Sequence, residues 1–190
     1  MARYAKEHKQ VTRQRIIERA GRRFKQDGLD GSGISTLMSD AGLTNGAFYA
    51  HFTSKDDLVS HVVAQELRTQ VERYGSLRPG REGLEDFVRE YLSPAHRDNP
   101  GLGCPSAALL DEVGRCEDAT KQAYTDGARA ILNEIAVRLT PEDPQSARGE
   151  ALGLYTLLVG TMQLSRALSD PKFSDEVLER GIENALTFLH

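Results

Sequence analysis

The sequence predicts an all-α protein of about nine helices, on three observations. Apolar residues recur at spacings of three and four along most of the 190 residues. Apolar content is 39% but aromatic content only 6%, with no Trp, which suits helices packed through Leu, Ala, Ile and Val. Gly and Pro fall between the periodic stretches, at Asp27-Gly28, Gly75 to Gly83, Ser93-Pro94, Pro141 to Pro144 and Asp170-Pro171, where they punctuate helices.

The periodicity places the elements in order. Residues 1–9 read as a loose basic arm. A first helix from about Gln10 to Gln26 has Ile16, Ala20 and Phe24 on one face, with Ile17 alongside. The Gly-rich loop Gly28 to Gly33 has no strand before it and no complete phosphate-binding pattern, so a flexible turn is expected. Ser54 is a candidate cap, with Asp57 three residues on, for a long helix to about Tyr74. Further helices are expected at about Leu84 to Leu92, from Cys104-Pro105-Ser106 to near Gly114, Glu117 to Leu139, Gln145 to Leu168 and Ser174 to Leu189, with His96 to Gly103 as a loop.

The stretch Ile34 to Phe52 organises the rest. Leu37, Met38 and Ala41 share one helical face, and Gly42 suits the left-handed residue that ends that helix. Thr44 is a candidate side-chain cap for a second helix, Asn45 to about Phe52, with Phe48 and Phe52 inward. Two short helices joined by a Gly-containing turn make a helix-turn-helix. Its second helix starts with small residues (Asn45, Gly46, Ala47), which allow close approach to a groove. An ordinary helical hairpin in an all-α core is the plainer alternative.

Charge supports the sharper reading. The net charge is −4, yet residues 1–25 hold nine Lys/Arg against Glu7 and Glu18, a surplus of +7. A positive end on an acidic body is an electrostatic footprint for a polyanion. No apolar run approaches the ~20 residues of a membrane span. The polar start and two cysteines without a CxxC pair lead us to expect a cytoplasmic protein without disulfides or a zinc knuckle. The five histidines form no ligand spacing and no nucleophile elbow is present, so neither an enzyme nor a cofactor is expected. A helical protein–protein adaptor is a further rival.

The run Ala41-Gly42-Leu43-Thr44, then Gly46, Phe48-Tyr49-Ala50-His51-Phe52, Ser54-Lys55 and Leu58 resembles the signature of TetR-type transcriptional regulators. It covers about Val11 to Val63; the remainder resembles the family in helical layout and length. Met38 departs from it, standing where the family usually has a small residue. The resemblance implies a three-helix DNA-binding domain at 1–53, a linking helix at 54–74, and an effector-binding and dimerisation domain at 75–190. Its expected partners are a palindromic double-stranded operator, a small, largely apolar or aromatic effector, and a second copy, with release of the operator by the effector.

Phosphate contacts are then expected from Arg13, Ser35, Thr36, Thr44, Tyr49 and Lys55, and base contacts from Asn45, Gly46 and Ala47, with His51 beside them. Candidate effector-lining residues are Phe87, Tyr91, Cys104, Leu109, Tyr124, Ala128, Tyr155, Val159 and Met162. Cys104, at a helix start, is either a buried, inert thiol or the sensor of an oxidant-responsive repressor, as in some members of the family. The last two helices carry more apolar surface than one body covers. Gly153, Leu154, Leu157, Leu158, Val177, Leu178, Gly181, Ile182, Ala185 and Leu186 are the candidates for a four-helix dimer contact.

Overall fold

Nine α-helices and two 3-10 turns account for the regular structure of residues 2–190, the residues that the computed structural model describes, with side chains described from Glu7 onward. Helix α1 spans Ala2–Asp27. The expected loose arm is therefore helical from Ala2, consistent with a run of Ala, Arg, Lys, Glu and Gln that contains no breaker. Ile16, Ala20 and Phe24 are buried as their spacing predicts.

Helix α2, Ile34–Asp40, ends at Gly42, whose φ of 69° is the left-handed conformation expected there. The second helix of the hairpin is a 3-10 helix, Asn45–Ala50, shorter and tighter than expected. Thr44 makes no side-chain cap; its carbonyl oxygen accepts from the Ala47 N–H at 3.0 Å. Helix α3, Lys55–Gly75, opens as the sequence predicts. Ser54 Oγ accepts from Asp57 N–H at 3.0 Å, and Asp57 Oδ2 accepts from Thr53 N–H at 2.8 Å. That backbone bond is the main cause holding the Asp57 carboxyl below its usual pKa.

The body comprises α4 (Gly80–Tyr91), α5 (Pro94–Asp98), α6 (Pro105–Arg115), α7 (Asp118–Leu139), α8 (Arg148–Ala167) and α9 (Pro171–Thr187). Helix α7 lies along α3, and α8 lies between α7 and α9. One continuous apolar core runs from Ile16 in α1 to Leu189. Helix α4 opens four residues earlier and α8 three residues later than the sequence reading has them, and two further differences follow from local capping. Ser93 accepts from His96 N–H and Pro94 takes the first turn, so α5 forms where a loop was expected. Asp170 accepts from the Lys172 and Phe173 N–H groups, so Pro171 opens α9 as well as ending α8.

Two polar contacts tie α1 to the body. Lys25 is buried; its Nζ donates to Glu66 Oε2 on α3 at 2.6 Å and to the Gly103 carbonyl at 3.1 Å. Glu112 on α6 accepts from Leu29 N–H at 2.7 Å. The Gly28–Gly33 loop is thus pinned to α6 through the buried Leu29.

His96 fixes the connection between α4 and α6. Its Nδ1–H donates to the Tyr91 carbonyl at 2.7 Å and its Nε2 accepts from Cys104 N–H at 3.0 Å, which requires a neutral ring. Burial depresses its pKa; the Arg166 and Arg73 charges add to this, against the Tyr91 bond and Glu90. A depressed folded value means that this stabilisation is complete above about pH 6.5, the unfolded value, and is lost as pH falls through the folded one. The urea midpoint of the wild type should therefore drop more between pH 7.5 and 5 than that of His96→Gln.

Candidate functional site

The 3-10 helix presents a short exposed edge on an anchored base. Phe48 and Phe52 are buried, ring centroids 5.7 Å apart, and Phe48 meets Tyr49 edge-on at 5.2 Å. Ser35, Thr36, Thr44, Asn45, Gly46 and Tyr49 are exposed, Tyr49 to 70%. Ala47 and Lys55 are half-buried, Ala47 packed against the core. These residues lie along the hairpin and the start of α3, as the sequence reading groups them.

Arg13 and His51 sit differently from that reading. The Arg13 guanidinium lies 4.6 Å over the Phe52 ring, and its Nε donates to the His51 carbonyl at 3.4 Å. Arg13 thereby braces α1 against the end of the 3-10 helix. His51 is half-buried with Nδ1 enclosed and unpartnered. Burial, then Lys9 and Arg13, lower its pKa, so at neutral pH it brings no cation to the surface.

In the body, most of the candidate effector-lining residues are enclosed. Phe87, Tyr91, Cys104, Leu109, Tyr155, Val159 and Met162 are buried, while Tyr124 and Ala128 are half-buried. Their polar centre is Ser106, which the sequence reading missed: its Oγ accepts from Tyr124 at 2.8 Å and is 2.6 Å from the Tyr155 hydroxyl. Burial raises the pKa of both tyrosines, so they are neutral phenols. Cys104 stands at the N-cap position of α6 without a side-chain capping bond and is 2% exposed. The cavities described in the structure open on the surface, and none is lined by these residues apart from neighbours such as His96 and Arg166.

The candidate dimer residues divide. Leu154, Leu158, Leu178, Gly181 and Ala185 are buried within the subunit, so their surface is already spent. Gly153 backs onto the Phe188 ring, which would lie 2.7 Å from an added Cβ. Leu157, Val177, Ile182 and Leu186 are half-buried. The outward face of α8 instead shows Leu152 and Leu164, about half exposed, with Gly149, Thr156 and Gly160 at helical spacing between and beside them. Phe173, 48% exposed, stands at the start of α9. The sequence shows α8 as apolar on several sides, but only packing decides which side is left over.

A hairpin whose second helix is exposed, on a positively charged helix and joined to a helical body, defines a helix-turn-helix protein. Residues 16–62 match the family model for bacterial regulatory proteins, tetR family. Over 62 residues the chain is 42% identical to the HTH-type transcriptional regulator AcrR of Shigella flexneri, covering 33% of this chain and 29% of that one. Over 59 residues it is 42% identical to TtgR of Pseudomonas putida, covering 31% and 28%. These matches span less than a third of either relative's length. Its fold is similar to the crystal structure of the reduced form of Escherichia coli NemR, with a TM-score of 0.79 at 19% identity, covering 95% of this chain and 97% of that one. Residues 16–62 thus match the tetR family in sequence, and the rest of the chain is similar to such regulators in fold.

Proposed function

We propose that the chain is a homodimeric repressor that reads a palindromic operator in the cytoplasm and is released by a small effector. Residues 1–53 are the reading head, 54–74 the link and 75–190 the body. The observation that carries this reading is the exposed edge Asn45-Gly46-Tyr49 held over the buried Phe48 and Phe52. In a major groove, Asn45 would pair with a base edge, Gly46 and Ala47 would permit the approach, and Ser35, Thr36, Thr44, Tyr49 and Lys55 would meet phosphates. Arg13 acts chiefly by holding the 3-10 helix in place.

The effector reading rests on the cluster around Ser106. Ser106 lies in the first turn of α6, between Gly103, which accepts from Lys25, and Glu112, which accepts from Leu29. A molecule that displaces Ser106 from Tyr124 and Tyr155 acts on both ties to the head. Release then follows from its preference for the arrangement that DNA disfavours. The dimer reading rests on Leu152, Gly160, Leu164 and Phe173, with Leu157 and Val177 at the edge.

The test is selection of bound sequences from random duplexes, followed by Asn45→Ala. Affinity for the selected site should fall about tenfold, on the order of 1–3 kcal/mol for a bidentate pair, while binding to unrelated DNA stays unchanged. Equal loss on every duplex, or no fall of affinity with added salt, would count against the reading.

A further inference from the structure

Among the described residues, the buried side-chain atoms without a hydrogen-bond partner include several donors of the body, with Gln70 Oε1 on α3 as an unpartnered acceptor one turn before Tyr74. Tyr74, Phe87, Tyr91 and His96 form an aromatic column, with successive ring centroids 4.4, 5.5 and 4.6 Å apart. The Tyr74 hydroxyl is buried without a hydrogen-bond partner. So is that of Tyr91, which lies beside the Cys104 thiol, a weak acceptor. Each such group costs about 1–3 kcal/mol when left unsatisfied.

One further donor faces the same region. It does not come from Ser106, Tyr124 and Tyr155, whose three hydroxyls bond to one another in a closed set. Arg166 donates through Nε to the Arg97 carbonyl at 3.1 Å and through Nη2 to the His96 carbonyl at 2.7 Å, while its buried Nη1 has no partner. Arg166 is within electrostatic reach of Tyr91 and Cys104. The carboxylates on this side, Glu90 and Asp98, are exposed and paired with Arg73 and Arg97, so they do not supply the missing acceptors.

We propose that the effector is an organic acid, whose carboxylate accepts from Arg166 Nη1 and the Tyr91 hydroxyl and whose apolar part lies along Phe87 and Tyr74. This rests on the reading of the body as effector-binding and adds the ligand's chemical class. A carboxylate answers several donors at once, and bonds between charged partners are the strong ones. Access is from the surface cavity of about 370 Å³ bordered by Arg73, Glu90 and His96, the outermost ring of the aromatic column, whose displacement would open the way to Tyr91.

The test uses the full chain with benzoate and decanoate as carboxylate probes, and benzamide and benzylamine as neutral and cationic controls. At least one carboxylate should raise the thermal midpoint in a concentration-dependent manner, and the controls should not. Arg166→Gln should abolish the shift. Because Arg166 also holds two backbone carbonyls, Tyr91→Phe provides a second readout. It should leave the ligand-free midpoint unchanged or higher, since an unpaired buried hydroxyl is removed, and weaken the carboxylate at least tenfold. No shift with either carboxylate, an equal shift with benzamide, or a ligand-free midpoint lowered by several degrees in Tyr91→Phe would overturn the proposal. The two readings fail separately: a selected operator without carboxylate binding leaves the regulator standing, and absence of DNA binding sinks the regulator whatever benzoate does.

Discussion

Replacing Leu152 and Leu164 together by glutamate should give folded single subunits that bind a two-half-site operator roughly two to four orders of magnitude more weakly. Both leucines lie on the outward face of α8, about half exposed, so the change leaves the subunit core intact. Far-ultraviolet circular dichroism should be unchanged, and sedimentation should report the loss of the pair. The size of the effect is that of avidity: a second head tethered to the first binds at high effective concentration, an advantage that a lone subunit loses. A dimer that persists in this variant would place the subunit contact on another face.

Lys25→Met should destabilise the protein by about 3 kcal/mol in urea titration, and Lys25→Met with Glu66→Leu should recover most of that. The Lys25 side chain is 6% exposed and Glu66 16%, so removing the lysine strands a carboxylate away from most of the solvent. Breaking one side of a buried pair costs several kcal/mol, whereas replacing both by apolar groups is often neutral. The double variant also lacks the bond from Lys25 to the Gly103 carbonyl. It should bind the operator normally but respond less to effector, as measured by the effector concentration needed for half-release. An unchanged response would show that Glu112 and Leu29 alone carry the coupling.

What the sequence made legible is local. Gly42, the Ser54–Asp57 cap and the burial of Phe48 and Phe52 each follow from spacings of a few residues, and each is found. The hairpin that carries the candidate reading edge was readable for the same reason. The contacts that set the body on the head join residues 41, 78 and 83 positions apart, and no local pattern announces them. Arg13 reads in sequence as a phosphate contact, and its place over the Phe52 ring is a matter of tertiary packing that no local pattern announces. Helix α8 shows the limit most plainly. Leu154 and Leu158 look the same as Leu152 and Leu164 in sequence, and the placement of α7 and α9 alone decides which pair is enclosed.

Gly46 has an evolutionary consequence. It sits at the exposed edge without a left-handed backbone, and nothing lies within 4 Å of where a Cβ would stand. Any side chain can be installed there without disturbing Phe48 or the turn beneath it. If this edge reads DNA as proposed, sequence preference can drift at this position while the scaffold stays fixed, which gives duplicated copies of such a chain an inexpensive way to part company over their targets.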